Sequence, residues 1–457
     1  MYIPGTLAVS TLVGIMLGTG NGKAALTLCA VPILTFLYNC RFWVVLVMVA
    51  LTIAFGRNFT YLHFGPVYVL DAVLLFILVA ALPEILEDLA RLGTGSLLML
   101  SILILTAASV FESGLTVEVL RNAVLGFYVV WAAVGVMLAF RGKAAEFAGV
   151  SYMGSIAATV VFVLWFPGHS LLGSQLELVG VASSAYMAMG VLLVLFAPSL
   201  APRGWLPAAV CLMQLALIAA GQFRSVWVGL ALAIVVTLLI SGGSRAVWQR
   251  IRWYLLIGGM TLLASAVLVA PTAVQNLKAE GRSIYSYGGR STSDLNARWR
   301  IGKWKYAKAT ILSHPWRGIG FRGQEVPVQV CSPSCDRPTS PKPRPGAALH
   351  NSILAFGLRL GFPGLVAFAL FVVAVLRATR RAARTAQADL ARWLCAVNLL
   401  FLFTAAFAVV LEGPYMGVIF WITGGMVLAM PLVDRTPKRS ELVGATPVYR
   451  PAVVRAR

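Results

Sequence analysis

The residues best suited to chemistry gather in one polar stretch, roughly 271–364, of an otherwise apolar chain. His350-Asn351-Ser352 stands directly before an apolar run. His314-Pro315-Trp316-Arg317-Gly318-Ile319-Gly320-Phe321 precedes it in the same stretch. An imidazole can take a proton near neutral pH, which makes His350 a candidate general base. The bland alternative is a helix-start histidine bonded to nearby backbone. Arg224, in Gly221-Gln222-Phe223-Arg224-Ser225 between two apolar runs, is a second candidate. A charge so close to lipid is costly, so it is functional, paired, or a side chain snorkelling to the interface. His314 reads as capping or packing, and His63 and His169 show no partner in sequence. Asp71 and Glu412 lie near membrane depth and read better as internal partners of arginines than as catalytic carboxylates.

The polar stretch is strongly basic. Between residues 272 and 351, thirteen Lys and Arg, Arg290 and Arg298 among them, face four Asp and Glu. Anionic lipid head groups would account for this. So would a phosphorylated substrate, because guanidinium grips phosphate through two parallel N–H donors. The whole chain carries +21, but its cations sit in connectors and form no compact basic domain with interleaved aromatics, so nucleic acid is not the expected partner. No P-loop, dinucleotide fingerprint, HExxH or Asp-x-Asp pair occurs, and no two of the four histidines are spaced as helical metal ligands. No metal and no cofactor is expected.

Membrane helices must position these groups. The 457 residues are 59% hydrophobic and 12% charged, with mean hydropathy +0.85. Apolar runs of about 16–22 residues read as transmembrane helices. In lipid, helices satisfy their own backbone groups, so the expected fold is an all-α polytopic membrane protein with about 12–14 spans. These begin near residues 2, 24, 42, 66, 95, 118, 149, 179, 205, 226, 254, 352, 392 and 415, and no cleaved leader is expected. An even count with both termini cytoplasmic puts Arg41, Arg91, Arg141, Lys143, Arg250 and the Arg377–Arg392 cluster inside, which obeys the positive-inside rule. The division is then 1–271 membrane helices, 272–351 an extracytoplasmic loop, 352–433 further membrane helices, and 434–457 a basic disordered tail. Within the loop, Asp294 to Ser313 reads as a helix capped by Ser293 or Asp294.

Cys331 and Cys335 lie close together in that loop, separated by Ser332, Pro333 and Ser334. A disulfide in an oxidising compartment is the expectation, with two free thiols the alternative.

The order of the motifs resembles one family. His314-Pro315 through Gly318 and Gly320 is similar to the HP-x-x-G-x-G run of O-antigen ligases and polymerases. His350-Asn351 followed by Leu360-Gly361-Phe362-Pro363-Gly364-Leu365 resembles their HN and LG-x-x-GL block. Arg224-Ser225 resembles their turn between two spans, and Arg298 with Trp304 their arginine-then-tryptophan element. The resemblance covers about residues 205–433. Arg359 departs from it, standing where many relatives carry an acidic residue.

The resemblance implies a GT-C-type membrane glycosyltransferase of the bacterial inner membrane, with its site facing the periplasm. The implied donor is an undecaprenyl-diphosphate-linked glycan, and the acceptor is lipid A-core or another glycan. It also implies a metal-independent, inverting reaction. Arg224, Arg298 and Arg290 would hold the diphosphate, His350 would be the base, and Asn351, His314 and Glu412 would support it. The competing readings are a transporter of lipid-linked saccharides and a non-catalytic scaffold. The absence of an internal repeat weighs against the former.

Overall fold

The computed structural model describes residues 38–64, 67–172, 181–220, 223–242, 247–254, 256, 292–322 and 349–433. It is nearly all-helical. The exception is a small antiparallel hairpin, β1 (His63–Phe64) with β2 (Val67–Tyr68), in register His63↔Tyr68 and Phe64↔Val67.

The first helices are α1 (Arg41–Phe55) and the single turn α2 (Arg57–Thr60), which leads into the hairpin. Helices α3 (Val69–Ala80) and α4 (Leu82–Leu92) meet at 81°. The apolar run beginning near residue 66 is therefore a broken segment. Pro83 opens α4, which carries Glu84, Glu87, Asp88 and Arg91. Glu84 pairs with Arg41 at 2.6 Å, and Arg141 lies 3.4 Å from Glu87 and 3.5 Å from Asp88.

Next come α5 (Thr94–Ser113), α6 (Val117–Phe127) and α7 (Val130–Phe140), the last two bent by 40°. Then follow α8 (Ala144–Leu172), α9 (Val181–Phe196), α10 (Leu206–Ala220) and α11 (Arg224–Ser241). After α12 (Thr292–Ser313) come α13 (Ser352–Ala382), α14 (Ala388–Ala405) and α15 (Pro414–Val433), the last of the described helices. Among the described residues, α5, α8, α11, α13, α14 and α15 are each long and apolar enough to cross a membrane. The pairs α3/α4 and α6/α7 pass the same test together, and α1, α9 and α10 are shorter apolar helices. The segments expected near residues 2 and 24, and most of the one near 254, lie outside the described residues.

Without a hydrophobic force between helices in lipid, close contact between small residues holds such bundles together. At the crossing of α7 and α15, a Cβ on Gly135 would lie 2.1 Å from the Ile422 carbonyl oxygen. One on Gly425 would lie 1.9 Å from that of Ala132. A polar contact ties α8 to α10, where Gln214 donates to Ser155 Oγ (3.2 Å) and Thr159 Oγ1 (3.1 Å).

Candidate active site

The HP run and the LG-x-x-G run form one joint. Gly361 breaks α13 with φ +68, and Pro363 has no N–H to give the Arg359 carbonyl. The chain after α12 supplies what the break removes. Ile319 N–H donates to the Leu358 carbonyl (2.8 Å) and Gly320 N–H to that of Arg359 (3.2 Å). The freed Phe362 N–H donates to the Pro315 carbonyl (2.7 Å). Such close backbone approach needs glycine: a Cβ on Gly318 would meet the Leu358 oxygen at 2.5 Å, and one on Gly361 the Pro315 oxygen at 2.5 Å. Arg359, nearly buried, donates to the Gly320 carbonyl (3.0 Å) and lies over the Phe321 ring. It locks the joint, which accounts for a cation at this position.

Beyond the joint, α13 begins at the candidate base. Leu349 is buried, and His350 adopts φ +53, the one positive φ of a non-glycine among the described residues. A left-handed residue costs about 1–2 kcal/mol, so its surroundings must hold it there. Asn351 caps α13, accepting the Leu354 N–H at 3.0 Å. The buried Ser352 hydroxyl donates to Glu412 Oε2 (2.5 Å) and accepts the N–H groups of Val410 (3.0 Å) and Leu411 (3.1 Å). The turn 406–413 thereby clamps the start of α13. The same turn takes α12, because Arg300 donates to the Phe407 carbonyl (3.1 Å) and Trp304 lies against the Phe407 ring.

Two cations on α12 act on His350. Lys303 is fully buried and Arg300 half-buried. Burial first, then the charges of Lys303 and Arg300, push the imidazole down to about 4. Burial likewise lowers the Arg300 guanidinium below its ordinary range.

The other expected residues are placed as follows. Arg224 opens α11 and is exposed. Gly229, just over one turn further on, meets Thr404 of α14, so Arg224 emerges near the turn 406–413. His314 directly follows α12 and is exposed, its N–H donating to the Thr310 carbonyl (3.0 Å) and its ring 3.0 Å from Ser313 Oγ; it caps the end of that helix and does not pack in the core. Asp71, expected to face an arginine, accepts the Tyr128 hydroxyl instead (3.0 Å). Arg298 lies on α12, with its side chain outside the described residues. Arg290, Cys331 and Cys335 lie wholly outside them. Helix α12 starts at Thr292, so Ser293 and Asp294 fall inside it and neither is a cap.

Residues 207–369 match the family model described as O-Antigen ligase. Over that segment the chain is similar to the O-antigen ligase family. The matched segment runs from the start of α10 past the joint in α13, and holds Arg224, Arg300, Lys303, the HP run and His350. That family implies glycan transfer of the ligase or polymerase type, with lipid-linked glycan and polysaccharide substrates. A comparison with curated proteins returned no significant match.

Sequence reading of the matched segment passed over Arg300, Lys303 and Ser352. Arg300 had a signal: it stands one helical turn before Trp304, so both reach the same turn of the chain. Lys303 had none, since its burial depends on how α12 lies across α13. Among the described residues no group of three or more His, Cys, Asp or Glu is arranged to hold a metal ion.

Proposed function

We propose that the chain transfers a glycan from an undecaprenyl-diphosphate-linked donor to a sugar hydroxyl of lipid A-core or of a growing polysaccharide. The reaction takes place at the periplasmic face of the inner membrane. The observation that carries this reading is the pairing of a strained, neutral His350 with two cations, Arg300 and Lys303, inside the segment similar to the ligase family. Neutral imidazole can take the acceptor's proton; the cations around it cannot. As the acceptor oxygen attacks the anomeric carbon, the bond from that carbon to the diphosphate oxygen breaks. The leaving negative charge falls on the diphosphate, and in-line displacement inverts the anomeric configuration. Arg224, Arg298, Arg290 and the half-buried Arg300 hold that diphosphate and stabilise its growing charge, and the charge of the buried Lys303 adds to theirs. Its bound charge also offsets that of Arg300 and Lys303, which restores basicity to His350 where it is needed. Asn351 and the Ser352–Glu412 contact orient the histidine. A diphosphate is already a good leaving group, so the proposal needs no metal. The Cys331–Cys335 disulfide belongs to the same reading, because the periplasm is oxidising.

The test is transfer by purified protein in detergent from a lipid-linked donor. Activity should survive EDTA and need no membrane gradient. His350→Ala should lower turnover about 10²–10⁴-fold while donor binding persists. Wild-type turnover in His350→Ala, or a requirement for a divalent ion, would sink the mechanism. Surface glycan from a deletion strain separates the two family activities: bare core marks a ligase, core with single units a polymerase.

A further inference from the structure

We propose that Arg57, Tyr61, Tyr68 and Arg121 form a platform for the acceptor, a saccharide bearing phosphate or carboxylate groups. This deepens the transferase reading and rests on it. All four residues lie outside the matched segment 207–369. Arg57, Tyr61 and Tyr68 lie in the continuous stretch of α2 and the hairpin, and α6, distant in sequence, brings Arg121 to them.

The Arg57 guanidinium carbon lies 5.2 Å from the centre of the Tyr61 ring, and that of Arg121 lies 5.5 Å from the centre of the Tyr68 ring. Arg121 also donates to the Tyr68 hydroxyl. The two tyrosines meet edge to face at 5.4 Å. Tyr68 is buried and Tyr61 half-buried, whereas both arginines are exposed. The rings thus fix the cations, which is a costly use of an aromatic pair if its only purpose is solubility. Burial holds the Tyr61 phenol above its ordinary range, and the charges of Arg57, Arg121 and Glu412 all reach it, so these groups form one electrostatic cluster.

The platform borders the site. Tyr61 lies 5.9 Å from the Tyr415 ring, and Glu412 bonds Ser352, two residues from His350. The turn 406–413 therefore has α12 with its donor cations at Phe407, and the platform at Glu412 and Tyr415. A sugar stacked on Tyr61 would lie beside the same stretch of chain whose Glu412 holds Ser352, two residues from His350. Two exposed guanidinium forks beside aromatic rings suit a saccharide with acidic substituents; a neutral glycan would use only the rings.

The probe is phosphorylated core oligosaccharide freed of lipid, compared with the same material after phosphatase, bound to full-length protein in nanodiscs. Wild type should lose at least tenfold in affinity when the phosphates are removed. Arg57→Gln/Arg121→Gln should bind both forms equally, at least tenfold weaker than wild type binds the phosphorylated one, while binding undecaprenyl diphosphate unchanged. Equal binding of both forms by wild type overturns the proposal whatever the variant does. So does a variant that still prefers the phosphorylated form, or one that loses undecaprenyl diphosphate binding, which would move the arginines to the donor. Transfer is measured in the same preparation. Phosphate-dependent binding without transfer would refute the transferase reading and leave the saccharide site standing.

Discussion

The imidazole of His350 stays neutral through the physiological range because burial and the charges of Lys303 and Arg300 all penalise its proton. Its effect on kinetics follows from which form of the enzyme is titrated. The acid limb of kcat/KM, which reports free enzyme, should fall well below 6.5, toward 4. The limb of kcat, with diphosphate bound, should lie higher. Coincident limbs near 6.5 would show that the two cations do not act on the base. Stability follows the same sign. The folded pKa is depressed, so the unfolded chain takes the proton first, and stability should fall as pH drops from about 6.5 toward 4. Arg300 tests the donor side. Arg300→Ala should reduce transfer at least a hundredfold, and Arg300→Lys should recover only part of it, because an ammonium lacks the planar fork. Full activity in Arg300→Lys would mean that charge alone suffices.

At the scale of elements, the joint between α12 and α13 fixes the helix that begins beside His350, the proposed base. Three backbone hydrogen bonds replace those lost at Gly361 and Pro363. Gly361→Ala would force a side chain into a left-handed conformation, at about 1–2 kcal/mol, and into the Pro315 carbonyl. It should lower the unfolding temperature in detergent and impair transfer. Gly302→Ala in α12 is the control: a Cβ there meets nothing within 4 Å, so it should be neutral or slightly stabilising. Equal thermal stability of the two variants would deny the joint its role. Both glycine motifs were visible in sequence as strings. Their partnership was not, because a backbone carbonyl exposed by a kink leaves no mark on residue type.

For the whole molecule, the acid–base clusters at Arg41, Arg91 and Arg141 gather at the end of the bundle opposite His350, since α5 runs from α4 to the joint. From the positive-inside rule we propose that His350 faces outward. Orientation can be measured by labelling single cysteines in a background without native ones. Trp316→Cys, at a side chain 76% exposed, should react with an impermeant maleimide in intact cells. Thr436→Cys in the tail should react only after permeabilisation. The reverse pattern would overturn the topology.

Composition alone determined that this is a helical membrane protein, because lipid leaves apolar runs of this length almost no other backbone solution. Motif order singled out His350, Asn351 and Arg224, and Glu412 stood out as a carboxylate near membrane depth, because rare polar residues are conspicuous in an apolar chain. Tertiary structure decided the rest. It buried Lys303 and Arg300 beside the histidine, turned Arg359 into a lock, divided the segment at residue 66 into α3 and α4, and gathered Arg57 and Arg121 onto two tyrosines. The burial beside His350, the Arg359 lock and the meeting of Arg121 with Tyr68 depend on groups far apart in sequence meeting in space, at distances no residue string encodes.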